Sequence, residues 1–112
     1  MDHREAVRVP VRVLARCRAH GLVIDGVVED VSRWGMFLRA PELVATGSSA
    51  EIELDLRGEA PLQLSAEVVR LERSPGRAGM GLRILVDPAD RRLLVNFIMR
   101  KHAEATVSRK VS

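Results

Sequence analysis

Two short stretches of this chain carry residue types that could do chemistry. "REAVR", near the start, holds Arg4 and Arg8, four positions apart. "DVSRWG" holds Asp30, Ser32 and Gly35, with Arg33 and Trp34 before the glycine. A guanidinium is a planar fork of donors that suits phosphate oxygens and guanine edges and stacks on flat rings. A carboxylate offers acceptors, and a hydroxyl can accept or donate. Each stretch alone is a weak signal. Pairs of arginines four apart recur at Arg8 with Arg12, Arg12 with Arg16 and Arg73 with Arg77. "DVSRWG" is equally well an Asx/Ser turn closed by a glycine. What the two stretches can do depends on the elements that position them.

The chain has 112 residues, enough for one domain and hardly two. Hydrophobic residues make up 46% and charged residues 29%, the balance of a folded globular protein rather than a disordered one. The aromatics are Trp34, Phe37 and Phe97, so the core must be built from Val, Leu, Ile, Ala and Met. No apolar run approaches the roughly 20 residues that span a bilayer. The start shows no apolar signal-peptide core. With Cys17 alone, neither an internal disulfide nor a Cys-based zinc site can form. A cytoplasmic location with no membrane contact is the expectation. Formal net charge is +3, and Lys101 and Lys110 are the only lysines, so the basic character is arginine. Most of these arginines read as a solvated surface.

The hydrophobic pattern predicts strands first. "VRVPVRVLARCRA" alternates strictly, with Val9, Val11, Val13, Ala15 and Cys17 on one face and Arg8, Arg12, Arg16 and Arg18 on the other. His20 and Gly21 form a turn. "LVIDGVVEDVS" is a second strand whose alternation slips near Gly26 to Val28, which predicts a bulge or strong bend there. "GMFLRA", "AEIELDLRG", "LQLSAEVVRLER" and "MGLRILV" complete about six strands with short turns between them, as in an antiparallel barrel or sandwich. The period then changes. "DPADRRLLVNFIMRKHAEA" predicts one amphipathic helix, with Asp87 as N-cap, Pro88 at the first position and Leu94, Phe97 and Ile98 on the buried stripe. "TVSRKVS" reads as a frayed tail.

Catalytic patterns are missing. His3, His20 and His102 are scattered and lack the i, i+4 spacing of a helical metal pair. Ser32 does not sit in G-x-S-x-G. "GMG" at positions 79–81 lacks the third glycine and the following helix of a dinucleotide fingerprint. The expectation is a protein that is not an enzyme and carries neither metal nor cofactor.

Order and spacing join the two stretches. R-x-x-x-R directly before the first strand, D-x-S-x-x-G at the end of the second, the glycine-bearing late strand "AGMGLRIL" and a closing helix together resemble the PilZ domain family over nearly the whole chain. The resemblance implies a mainly β fold, a six-stranded antiparallel β-barrel with a C-terminal α-helix. It divides the chain into an arm at 1–8, a barrel with its helix at 9–104 and a tail at 105–112. It also implies binding of the second messenger c-di-GMP by Arg4, Arg8, Asp30, Ser32 and Gly35, with Arg12, Arg33, Trp34 and Gly81 as secondary contacts. The second arginine is taken as Arg8 because "RVPV" matches the family's strand start. Chemically, arginine forks meet guanine O6 and N7, and the Asp30 carboxylate accepts from N1–H and the exocyclic amine. Ser32 can donate to a phosphate or carbonyl oxygen. Gly35 allows close approach or a positive φ.

Two positions depart from the family pattern. His3 stands where many members carry one more arginine, which favours one ligand per site. Arg33 and Trp34 stand where small residues are common. The expected outcome of binding is an arm that folds over the ligand and presents a new surface to an unidentified protein partner. Family outputs of that kind include motility, pili, exopolysaccharide and transcription. The competing reading is a protein-interaction adaptor on the same fold, acting without nucleotide. A single-stranded nucleic-acid barrel would need more stacking aromatics than this chain has.

Overall fold

The computed structural model describes residues 8–85 and 87–111. In chain order these form β1 (Val9–Ala19), β2 (Leu22–Val31), β3 (Gly35–Arg39), β4 (Ser49–Leu54), β5 (Leu62–Glu72), β6 (Gly79–Ile84) and α1 (Pro88–Val111). The strands close an antiparallel barrel in the order β1-β2-β3-β6-β5-β4, with β4 returning to β1. The expected barrel and helix are both present.

Alternation builds the barrel wall. Val9, Val13, Ala15, Cys17 and Ala19 of β1 point into the core, while Arg8, Arg12, Arg16 and Arg18 face out. The outward arginines meet carboxylates on neighbouring strands, Arg16 with Asp25 and Arg18 with Glu53. His20 and Gly21 join β1 to β2 with φ of 51° and 75°. Positive φ at both positions is what a two-residue type I′ hairpin requires.

The helix covers one end of the barrel with Leu94, Phe97 and Ile98, which are 0%, 3% and 5% exposed. Asp87 caps it: the Asp90 amide donates to its carboxylate at 2.9 Å. The helix runs on to Val111, past the predicted limit, because no glycine or proline follows Pro88 to stop it. Strand β4 ends at Leu54, earlier than the predicted Arg57. The chain turns there, with Arg57 at φ 49°, and Leu56 packs on the core from the loop. Among the described residues no helix is long and apolar enough to cross a membrane.

The predicted slip in β2 lies elsewhere. Pairing with β1 is regular from Leu22 to Val28, and the irregularity falls between Val28 and Asp30. There Glu29 is an extra residue against β3, while β1 places both Val11 and Arg12 opposite it. Gly26 has a different reason: a Cβ there would lie 2.4 Å from the Arg39 carbonyl oxygen, so it marks a close crossing of strands. The bulge decides the site. Strict alternation from Ile24 through Val28 would point Asp30 into the core. The extra residue instead turns Val31 inward, at 1% exposure, and leaves the Asp30 side chain 36% exposed outside. The Glu29 carboxylate is held at 2.6 Å by Arg39.

Two outcomes are expected. Leu94→Ala should cost about 2–5 kcal/mol in urea unfolding, whereas Leu93→Ala, at an exposed position, should change stability by no more than about 0.5 kcal/mol. Burial pushes the Cys17 thiol pKa up. Cys17 should therefore resist iodoacetamide in the folded protein and react fully in denaturant.

Candidate functional site

The buried start of β1 anchors the first motif. Val9 is fully buried and pairs with Val31, so Arg8, one residue earlier, lies beside the end of β2. Its guanidinium meets the Asp30 carboxylate at 2.6 Å. Both side chains remain solvated, at 54% and 36% exposure. An exposed pair of this kind contributes roughly 0–1 kcal/mol. A competing partner could therefore take both groups at little cost. Arg4 lies outside the described residues.

The second motif is a hairpin specification. Val31 pairs with Met36 across the strands, and the Ser32 amide donates to the Gly35 carbonyl at 2.8 Å. The Ser32 hydroxyl oxygen accepts from the Trp34 and Gly35 amides, each at 3.2 Å. Ser32 is 1% exposed, and its hydroxyl also lies 3.4 Å from the Gly35 carbonyl, to which it donates, so in this structure its bonds close the turn. Of the two expectations for Gly35, the positive φ is not present. A Cβ there would lie 2.5 Å from the Leu82 carbonyl oxygen of β6, so glycine is needed for close strand packing. The Trp34 carbonyl accepts from the Ile84 amide at 2.9 Å, which ties the turn to the end of β6.

Around this turn lies a cleft of about 430 Å³, bounded by Arg8, Ser32, Trp34, Gly35, Val69, Arg83, Leu85 and Arg91 among others. That is within the roughly 300–1,000 Å³ usual for small-molecule sites. Its charge comes from three arginines on different elements. Its apolar wall includes Val69, an extra residue in the β5–β6 pairing, and Leu85, which are 51% and 47% exposed. Anionic groups and flat apolar faces are what such a lining can hold. Arg83 pairs with Glu67, as the outward faces of β6 and β5 require.

A row of facing residues continues from Asp30 around the outer wall: Pro10, Asp30, Phe37, Gly81 and Arg70 are successive cross-strand partners. The Arg70 guanidinium lies 5.7 Å from the centre of the Phe37 ring, over the space that the bare Gly81 leaves. Gly81 thus sits on the same wall as Asp30, outside the cleft lining. Arg12 does not join it. The bulge opposite Glu29 separates it from Arg8, and it lines a different cleft with Asp55, Arg57 and Phe97. Arg33 is exposed on the turn, with its guanidinium 5.5 Å from the Trp34 ring. Arg83, Arg91 and Val69 belong to neither motif in the sequence. Outward phase was available for Arg83, but only tertiary contact brings Arg91 and the bulged Val69 to the turn.

Among the described residues no group of His, Cys, Asp and Glu is arranged to hold a metal ion. The candidate site is therefore an arginine-rich cleft on the outer wall of a closed barrel. The chain belongs to the PilZ domain family, whose model matches residues 2–100. Among solved structures it is similar to the PilZ domain of YcgR from Escherichia coli with c-di-GMP, at TM-score 0.82 and 16% identity, over 97% of this chain and 98% of that one. It is also similar to YcgR in complex with c-di-GMP from the same organism, at TM-score 0.82 and 20% identity, over 100% of this chain and 52% of that one. A third similar structure is the inhibitor of motility MotI/DgrA of Bacillus subtilis, at TM-score 0.74 and 19% identity, over 93% of this chain and 53% of that one. The chain thus spans about half the length of MotI and of that YcgR chain. No curated protein matches it by sequence.

The two halves of the D-x-S-x-x-G motif should separate in a stability assay. Ser32→Ala leaves two turn amides without their acceptor and should cost about 1–3 kcal/mol. Asp30→Ala removes an exposed pair and should cost at most about 1 kcal/mol. Thermal melts of the two variants side by side check this.

Proposed function

We propose that this chain is a cytoplasmic receptor domain for c-di-GMP that acts by binding and not by catalysis. The observation that carries the reading is the Arg8–Asp30 pair at 2.6 Å, beside a serine–glycine turn and an arginine-lined cleft. Membership of the PilZ family supports it, as does similarity to YcgR structures described with c-di-GMP. Arg8 supplies a fork for guanine or phosphate oxygens, and Asp30 accepts from the guanine N1–H and amine. The exposed pair dissolves in favour of these contacts. Ser32 and Gly35 hold the turn that presents them. Arg4, on the arm at 1–8, closes over the ligand. The reordered arm then alters the surface offered to a protein partner, with motility, pili, exopolysaccharide or transcription as the outputs considered.

A nucleotide-independent adaptor on the same fold draws on one observation, that the Ser32 hydroxyl already serves the turn. Calorimetric titration with c-di-GMP separates the two. Micromolar or tighter binding is expected. Arg8→Ala and Asp30→Ala should each weaken it by at least roughly tenfold, the loss of a hydrogen bond to a charged group. No heat and no chemical-shift change on titration would support the adaptor. Deletion of residues 1–7 should leave the thermal melt of the barrel in place and severely weaken binding; unchanged affinity would rule out the closing arm.

A further inference from the structure

The cleft holds three arginines whose charges are not equally engaged. Arg8 faces Asp30 and Arg83 faces Glu67. Arg91, in the first turns of α1, has no carboxylate within ion-pair distance among the described residues. It donates instead to the Arg33 carbonyl, and its guanidinium lies 4.7 Å from the centre of the Trp34 ring. Trp34 therefore lies against two guanidinium groups, with Arg33 at 5.5 Å. A neutral carbonyl and a ring face are weaker partners for a guanidinium than a carboxylate or phosphate, which adds a full charge and a second acceptor for the fork. Arg91 is partly buried on the cleft wall with Arg8, Ser32 and Gly35, so an anion bound there would meet an arginine already held in place.

The geometry points to Arg91 as a further ligand-contacting residue of this cleft, one that binds a phosphate of the nucleotide and in doing so gives up its hold on Trp34 and the Arg33 carbonyl. The inference rests on the receptor reading above and adds the helix to it. Arg91 bridges α1 and the β2–β3 turn. An anion that recruits it changes the contact between those two elements, so occupancy of the cleft is registered at the start of the helix. Only the charge and the fork can do this. A purely structural Arg91 would act through its stem and its stacking on the indole.

Trp34 is the only tryptophan, which provides a direct readout. The full chain is titrated with c-di-GMP by calorimetry and by tryptophan emission, as wild type, Arg91→Gln and Arg91→Lys. In the wild type, binding should change Trp34 emission. Arg91→Gln keeps a donor but no charge; it should weaken binding roughly ten- to hundredfold and remove most of the emission change. Arg91→Lys keeps the charge and should recover part of the affinity. Glutamine and lysine variants that both bind as tightly as wild type overturn the inference while leaving the receptor reading intact. So does wild-type binding with unaltered Trp34 emission. A wild-type chain that fails to bind overturns the receptor reading, and this inference falls with it. Thermal melts of both variants confirm that each is folded, and Arg91→Lys serves alone if the glutamine variant is not.

Discussion

The Asp30 carboxylate can take part in recognition only from the outer wall of the barrel, and one extra residue puts it there. β2 enters the sheet with Ile24 and Val28 pointing inward, a phase that would carry an acidic side chain into a core of aliphatic groups. Burying an unpaired carboxylate there would cost several kcal/mol. The bulge at Glu29 resolves the conflict by turning Val31 inward and Asp30 outward. Everything near the site follows from that half-turn of the strand. Val31 then anchors Val9, Val9 places Arg8, and Arg8 reaches Asp30.

The motif residues divide their work by burial. Ser32 and Gly35 are committed to the turn and to its packing under β6. Their chemistry is largely used up inside the protein. Arg8 and Asp30 are solvated and hold each other weakly, so they remain available to a stronger partner. A rigid bend presenting exchangeable charges is preorganised for binding, because little ordering of the bend is left to be done when a ligand arrives.

Barrel closure sets the location of the cleft. The interior is filled by side chains such as Met36, Leu38, Leu64 and Met80, so no lumen is left for a ligand. The cleft lies instead on the wall, where the β2–β3 turn, the end of β6 and the start of α1 meet. The backbone bond from Ile84 to the Trp34 carbonyl and the Arg91 contact on the Trp34 ring make that junction continuous.

Much was legible in the sequence. Period-two alternation in β1 identified inward and outward faces, because strand side chains have only two directions. The change to helical period after Asp87, with its cap and proline, located α1. R-x-x-x-R and D-x-S-x-x-G in that order pointed to the family. Other features depended on contacts between residues distant along the chain. Gly26 drew attention to an irregular β2, but the extra residue is Glu29, since a bulge is defined against partner strands that no local pattern reveals. Gly35 is needed because of Leu82, and Ser32 turns inward because two amides need it. Arg12 shares the outward phase of Arg8 yet lines another cleft, because the two are separated by the bulge. The sequence by itself determined which side chains can face out and which chemistry they carry. The closing of the barrel and the docking of α1 decided which of those outward groups meet, because strand pairing and helix packing set distances that spacing along the chain cannot.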